Sequence, residues 1–184
     1  HMPVSAALGE LVDWRDSPWS AHDWQTGPVW NAAEQVALAK LGLAGCAADP
    51  AWPEHWAAAL DEQPPAWAPV AVVYGDWQRV AAPPPEEVHR RAVELGCRAL
   101  LVDTFDKSRG SLPSCWPLDR LDDFLRQVRR SGQLTVLGGS LTAEMIPDVV
   151  PLRPDYIAVR GAVCTGDRSG PVSGRRVRKL VKAI

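Results

Sequence analysis

A carboxylate and a lysine stand four residues apart where a strand-length apolar run opens into a polar loop. The run 100–102 leads into Asp103, and Lys107 follows in the loop. The carboxyl ends of barrel strands deliver catalytic groups in this way. In a shared cleft, a carboxylate holds a lysine charged, whereas desolvation favours the neutral amine. The spacing favours a catalytic site here, and a strand followed by a solvated charged turn is the alternative.

A second lysine lies inside an apolar segment. Lys40 interrupts the run 39–44, where a charge is costly unless it is paired. One interpretation is a lysine that extends from a strand edge to water. The other is a barrel-interior lysine beside Asp103, which acts as an acid–base group or as an amine that meets a carbonyl.

Two glycine-containing loops near the end of the chain, 138–142 and 160–170, have the composition of phosphate sites. Small residues let backbone N–H groups approach an anion, and hydroxyls and guanidinium groups add donors. In barrels, the loops after the last two strands often hold a phosphate. A phosphorylated substrate is therefore predicted. The predicted substrate- and phosphate-binding residues are Asp76, Gly139, Ser140, Arg160, Gly161, Gly166 and Arg168.

Alternating strand and helix patterns must position these groups. Strands are predicted at 3–7, 39–44, 70–74, 99–103, 134–137 and 156–159, and helices at 31–38, 52–61, 86–95, 118–130, 143–149 and 175–183. About six β-then-α units indicate a parallel sheet with right-handed crossovers. A TIM (β/α)8 barrel has eight units, so two are not visible. A doubly wound open sheet is the alternative, but no G-x-G-x-x-G follows the first strand, and polar residues follow nearly every strand.

Composition narrows the function classes. The 184 residues carry a net charge of -2, which gives no electrostatic footprint for nucleic acid or an anionic membrane. No apolar run approaches the ~20 residues of a membrane span. A single barrel-type domain over 1–184 in a reducing cytoplasm is expected, with no zinc site or disulfide framework, because the cysteines lack paired spacing. They are Cys46, Cys97, Cys115 and Cys164.

Several segments together resemble one family, the (5-formylfuran-3-yl)methyl phosphate synthases of methanofuran-type cofactor biosynthesis. The resemblance runs from residue 3 to about residue 180, and its most specific part is 160–168. The segments are Pro3-Val4-Ser5-Ala6-Ala7-Leu8-Gly9-Glu10, Lys40-Leu41-Gly42-Leu43, Val102-Asp103-Thr104 with Lys107, Gly139-Ser140-Leu141, and Val159-Arg160-Gly161-Ala162-Val163-Cys164 with Gly166-Asp167-Arg168.

The resemblance implies a TIM-barrel lyase. Such an enzyme joins two glyceraldehyde 3-phosphate molecules into a phosphorylated furan aldehyde through lysine Schiff-base chemistry, without a metal or an organic cofactor. By position, family active-site residues match Lys40, Asp103 and Lys107. Family phosphate loops match Ser140, Arg160, Gly161 and Arg168.

The chain also departs from the family. Family members begin with two further strands, and the second ends in an Asp-Val-Lys-Asn-Pro-like segment whose lysine forms the Schiff base; nothing here matches it. The chain resembles the last six units, which leaves a shortened protein, cleaved or disordered first units, or a short homologue that lost the activity. The Trp-rich segment 14–30 replaces a plainer connection and suggests an added interface or lid.

Two function classes therefore stay open. The first is the lyase, and the second is a non-catalytic barrel module that binds a phosphorylated ligand or a partner protein. The expected partner is a phosphorylated small molecule, with no nucleic acid and no membrane, and homo-oligomerisation is open. Strands 3–7 and 156–159 would be unpaired edges in a six-strand sheet, so further residues are expected to complete the barrel.

Overall fold

The computed structural model describes residues 4–16 and 36–184. Its strands are β1 (Val4–Glu10), β2 (Val36–Gly42), β3 (Ala68–Tyr74), β4 (Ala99–Asp103), β5 (Leu134–Leu137) and β6 (Tyr156–Ile157). Its α-helices are α1 (Leu11–Asp16), α2 (Trp52–Asp61), α3 (Pro85–Glu94), α4 (Leu112–Cys115), α5 (Leu118–Arg130), α6 (Ile146–Val149) and α7 (Gly174–Val181). Short 3-10 turns cover Cys46–Ala48, Val150–Leu152 and Gly161–Val163.

The six strands form one parallel sheet in the order of the chain, β1-β2-β3-β4-β5-β6. Each strand pairs in parallel with the next. The predicted parallel α/β sheet is therefore confirmed. Because all strands run in one direction, the loops at their carboxyl ends lie along the same edge of the sheet.

The two faces of the sheet have different cores. Helices cover one face, where apolar strand residues such as Leu41, Val73 and Leu100 pack against Trp56 and Leu125. The other face carries a smaller cluster, and we call it the inner face. Its buried members are Ala44, Val70, Val72, Tyr74, Ala82, Ala99 and Leu101. The inner face also carries the polar groups described below.

Helix α5 shows how local sequence fixes an element. Its buried residues include Leu121, Leu125 and Val128, which repeat at the spacing of one helix face. Pro117 precedes the helix, and Gly132 follows it with a φ of 82°. Because these signals are local, the predicted bounds of α5 are confirmed. The predicted bounds of α2 are also confirmed.

Several predicted elements require correction. The strand predicted at 39–44 lies instead at Val36–Gly42, and the strand predicted at 3–7 extends to the end of β1 at residue 10. The helix predicted at 31–38 is wrong over residues 36–38, which belong to β2 and pair with both β1 and β3; residues 31–35 lie outside the described residues. The helix predicted at 143–149 begins only at α6, whose first turn contains a proline. The strand predicted at 156–159 is shortened to β6, although the Ala158 N–H still donates to the Leu137 carbonyl at 2.7 Å.

Part of the Trp-rich segment is helical. Trp14 lies in α1, is buried in the core and donates from Nε1 to the Leu8 carbonyl at 3.2 Å. Residues 17–30, with the other indoles of that segment, lie outside the described residues. Among the helices of the described part of the chain, none has the length and apolar character to cross a membrane.

Candidate active site

The end of β4 places Asp103 and Lys107 in direct contact. Asp103 is the last residue of the strand, and the Lys107 Nζ donates both to its Oδ1 and to the Thr104 carbonyl. The Thr104 N–H donates to the same carboxylate at 2.8 Å. Both side chains of the ion pair are about three-quarters buried, with exposures of 26% and 25%. The charged groups at the two ends of this segment therefore contact each other, as the four-residue spacing predicts.

Lys40 lies on the inner face of β2. It pairs in register with Ala7 of β1 and Val70 of β3, so its strand is internal and not an edge. Its Nζ donates to the Ser5 Oγ at 3.2 Å. Burial lowers the pKa of Lys40, and the negative charge of Asp103 partly opposes that shift. A larger fraction of Lys40 is therefore a neutral amine than in an exposed lysine.

Lys40, Asp103 and Lys107 share one cavity of about 250 Å³. Their strands are not neighbours, because β3 lies between β2 and β4. Lys40 also lies two residues before the end of β2 rather than at its end. A wider depression of about 990 Å³ adjoins it and shares Glu10, Phe105 and Lys107 with it. The lining residues are Ala7, Gly9, Glu10, Lys40, Gly42, Val72, Tyr74, Leu101, Asp103, Thr104, Phe105 and Lys107.

A second polar pair in this cavity joins β1 to β3. The Tyr74 hydroxyl donates to the Glu10 Oε1 at 2.6 Å, and the Ala44 N–H donates to the Oε2 at 2.8 Å. Burial raises the pKa of Glu10, against the effect of both hydrogen bonds, and it raises the pKa of Tyr74. The sequence places Glu10 after the first predicted strand, at the end of the family-like segment 3–10, and no role is predicted for Tyr74. The available signal is a single hydroxyl at the end of an otherwise apolar strand.

Glycine at position 42 makes the Glu10–Tyr74 contact possible. A Cβ at Gly42 would collide with both Glu10 carboxylate oxygens and with the Tyr74 hydroxyl. Gly42 lies on β2, between the strands that carry the two side chains. The absence of a side chain therefore lets the carboxylate reach across β2.

One buried hydroxyl in the cavity lining lacks a protein partner. Thr104 is only 1% exposed, and within residues 4–16 and 36–184 its Oγ1 has no hydrogen-bond partner. A buried hydroxyl without a partner is costly. A bound ligand or water that reached the cavity wall could satisfy it.

Asp76 has a different setting from the lysine cavity. Its carboxylate accepts from the Phe105 N–H at 2.9 Å and from the Asp106 N–H at 3.0 Å. It borders a separate depression of about 240 Å³ that also contains Arg79 and Arg109. The structure therefore shows Asp76 bracing the loop after β4, and its predicted contact with substrate stays a prediction.

The loop after β5 has an unusual backbone. Gly139 has a φ of 89°, and a Cβ there would lie 2.8 Å from the Leu112 Cβ and 3.1 Å from the Thr104 nitrogen. Only glycine fits this position without a shift of the backbone. Ser140 follows with a φ of 52° and is exposed. The tight turn packs this loop directly against the loop after β4.

The loop after β6 is held by its own polar groups. The Arg160 Nε donates to the Arg168 carbonyl at 2.8 Å, and Arg176 donates to the Cys164 carbonyl. A Cβ at Gly161 would lie 3.8 Å from the Arg168 Cβ, so these two positions are close. Gly166 has a φ of 78°. Because β5 and β6 are neighbours, both predicted phosphate loops lie at the edge of the sheet that carries the cavity.

Among residues 4–16 and 36–184, no group of three or more His, Cys, Asp or Glu side chains could hold a metal ion. The polar groups of the cavity are lysines, carboxylates, a phenol and a threonine hydroxyl. Together they can bind a carbonyl compound covalently through an amine and move protons.

Residues 1–181 match the sequence profile of the 4-HFC-P synthase family. The chain belongs to this family. It is 31% identical over 115 residues to a (5-formylfuran-3-yl)methyl phosphate synthase from Archaeoglobus fulgidus. That alignment covers 62% of this chain and 49% of that protein. It is 32% identical over 187 residues to a Kitasatospora aureofaciens protein that carries the same enzyme name provisionally. That alignment covers 99% of this chain and 70% of that protein.

The chain spans about half the length of the first of these curated relatives. Among solved structures, the crystal structure of a phosphoribosyl anthranilate isomerase from Thermus thermophilus aligns with 97% of this chain and 70% of its own, with a TM-score of 0.51 and 16% identity. At that identity the likeness shows the fold alone, and the fold is of the TIM-barrel type. The predicted fold class and the family resemblance are both confirmed.

Proposed function

We propose that this chain carries the lysine–carboxylate part of a lyase that condenses two glyceraldehyde 3-phosphate molecules into (5-formylfuran-3-yl)methyl phosphate. The observation that carries the proposal is the convergence of Lys40, Asp103 and Lys107 on one small cavity at the carboxyl edge of a parallel sheet. Membership of the synthase family supports the same reaction. The place of the reaction in methanofuran-type cofactor biosynthesis belongs to the proposal.

The two lysines have different proposed roles. Lys107 forms an ion pair with Asp103. The family's Schiff-base lysine has no counterpart in this chain, and burial lowers the pKa of Lys40. We therefore assign Lys40 the amine that attacks the aldehyde carbon and expels water to form an iminium ion. Lys107 and Asp103 then supply positive charge and a proton acceptor near the reacting carbonyl.

The net reaction needs acid–base groups and no oxidant. Two triose phosphates give the furan aldehyde phosphate, one inorganic phosphate and two water molecules, so the reaction needs only condensation, elimination and proton-shift steps. Each elimination removes a proton from carbon and delivers one to a leaving oxygen. Neither oxidation state nor atom count requires a metal or an organic cofactor.

The two late loops are proposed to bind phosphate. Gly139 and Ser140 offer backbone and hydroxyl donors, and Gly161, Gly166 and Arg168 offer backbone donors and a guanidinium group. Replacing Arg168 by alanine is expected to weaken the binding of inorganic phosphate about tenfold or more, because a hydrogen bond to a charged group contributes about 1.5–3 kcal/mol. Calorimetric titration measures this, with Arg130→Ala, at the far end of α5, as the matched control. Equal affinity in the two variants contradicts the assignment.

Borohydride trapping tests the covalent step. Incubation with glyceraldehyde 3-phosphate and borohydride should add one reduced triose phosphate to the Lys40 peptide, as read by mass spectrometry. Lys40→Arg should abolish the adduct, whereas Lys182→Arg, at the exposed end of the chain, should leave it unchanged. An adduct spread equally over surface lysines contradicts the assignment.

Product formation separates the enzyme from a binding module. The furan aldehyde absorbs in the near ultraviolet, so its appearance can be followed directly and matched to phosphate release at one phosphate per product. Saturable triose phosphate binding without product or adduct would favour the non-catalytic module.

A further inference from the structure

The strongest group of polar contacts that the proposed roles leave unused is the Glu10–Tyr74 pair. It spans three strands, because Glu10 ends β1, Tyr74 ends β3 and Gly42 lies between them on β2. Both side chains line the cavity that contains Lys40. Tyr74 also pairs in register with Asp103, so the two polar pairs of the cavity are neighbours.

The partners of the Glu10 carboxylate are neutral. Its oxygens accept from a phenol and from a backbone N–H, and within the described residues no lysine or arginine forms an ion pair with it. Each oxygen keeps a second lone pair. A carboxylate that only braced a strand would be better stabilised by a cation or replaced by an amide. A half-buried carboxylate that faces a cavity and whose pKa is raised by burial is instead a better proton acceptor than an exposed one.

We propose that Glu10, oriented by Tyr74, is a second acid–base group of this site and removes the C2 proton of a triose phosphate bound to Lys40. The proposal rests on the proposed function for its substrate. It assigns a role to two residues that lie 64 positions apart in the sequence and meet only in the fold.

The step balances within the site. The C2–H bond breaks, its electron pair forms the C1=C2 double bond of an enamine, and the C1=N π pair moves onto the Lys40 nitrogen and neutralises the iminium ion. The proton resides on Glu10. It can return to C2, or it can leave as water with a hydroxyl group during a later elimination. No oxidant or co-reactant is needed.

The charged groups around the pair set its pH dependence. Asp13 lies near Glu10 and raises its pKa, while Asp103 and Asp76 act on Tyr74 in the same direction. Lys40 and Lys107 face the pair across the cavity. The Tyr74 hydrogen bond lowers the pKa of Glu10, so its removal should move the ionisation of Glu10 to higher pH.

Deuterium exchange tests this role without requiring furan formation. In deuterium oxide, the wild-type chain should replace the C2 hydrogen of glyceraldehyde 3-phosphate by deuterium faster than buffer alone, as followed by proton NMR. Glu10→Gln should slow the exchange by about 10²-fold or more, the usual effect of losing a general base. Glu62→Gln, an exposed carboxylate at the end of α2, is the matched control and should exchange as wild type.

Tyr74→Phe provides a second test if Glu10→Gln does not fold. It keeps the ring and removes the hydroxyl, and the low-pH limb of its exchange profile should move to higher pH. A purely structural pair would lower the thermal midpoint and leave that limb in place.

The outcomes separate this inference from the proposed function. No exchange above buffer, equal exchange in Glu10→Gln, or an unmoved pH limb in Tyr74→Phe each overturns the inference, even where a Lys40 adduct and furan product form. Exchange that depends on Glu10 without any furan product supports the inference and contradicts the proposed function.

Discussion

The cavity between β1 and β4 and the pair of loops after β5 and β6 use their polar residues in different ways. In the cavity, side chains contact other side chains across strands, as Tyr74 contacts Glu10 and Lys40 contacts Ser5. In the late loops, side chains mostly contact backbone groups of the same loop, as Arg160 contacts the Arg168 carbonyl. The first region presents functional groups to a shared cleft, and the second fixes the shape of an exposed loop.

This contrast is consistent with the proposed division between chemistry in the cavity and phosphate binding in the late loops. Groups held on strands by cross-strand contacts have fixed positions, which covalent and proton-transfer steps require. Loops that satisfy their own polar side chains can still present backbone N–H groups to an anion. The predictions below test the two halves of this division.

The largest expected effect is on turnover in the cavity. Lys40→Met should lower product formation by about 10²–10⁴-fold, the range for removing an essential catalytic group. It should not lower the thermal midpoint, because methionine fills a similar volume and removes the cost of burying a charge. Product absorbance and thermal unfolding measure the two effects. A large loss of stability with normal turnover per folded molecule would show that Lys40 has a structural role and not a catalytic one.

The next effect compares one glycine from each region. Gly42→Ala should lower the free energy of unfolding by about 1–3 kcal/mol, because the new Cβ collides with the Glu10 carboxylate and the Tyr74 hydroxyl. Gly161→Ala is the matched change in the late loops and should alter stability little, since its nearest neighbour is 3.8 Å away. Urea unfolding of both variants measures the difference. Equal losses would show that the cavity wall is not tighter than the loop.

The elements of this fold that sequence predicts well are those with local signals. Helix α5 has a helical apolar repeat between Pro117 and Gly132, and β4 is a short apolar run that ends in Asp103. Both were predicted with the observed bounds. Residues 36–38 have no such signal, and their strand state comes from pairing with β1 and β3, which a helix-like local pattern cannot reveal.

In the candidate site, too, the contacts that the sequence predicts are the local ones. Asp103 and Lys107 are four residues apart, so their contact follows from local geometry. The sequence also marks Lys40, because a charge in an apolar strand is unusual. The Glu10–Tyr74 contact depends on strand order and on the missing side chain of Gly42, and neither can be read from spacing.

A smaller effect concerns pH. The negative charge of Asp103 raises the pKa of Lys40, against the lowering by burial. Asp103→Asn removes that charge, so the Lys40 pKa should fall further and its neutral amine should appear at lower pH. Reductive methylation at a series of pH values, read at the Lys40 peptide by mass spectrometry, should show the reactivity curve displaced to lower pH. The Lys182 curve should not move, and a Lys40 curve that stays in place or moves to higher pH would show that Asp103 does not act on Lys40.

The smallest expected effect is at the hydroxyl of Thr104. Thr104→Val removes a buried group that has no hydrogen-bond partner within the described residues and replaces it by a methyl of similar size. The free energy of unfolding without ligand should therefore stay the same or rise by up to about 1 kcal/mol. The added stability that saturating glyceraldehyde 3-phosphate gives should fall, because the ligand would lose a partner in the cavity wall. Urea unfolding with and without the triose phosphate measures both quantities. A drop in stability of the free protein with unchanged stabilisation by ligand would assign the hydroxyl to the structural contacts of the β4 loop instead of the cavity.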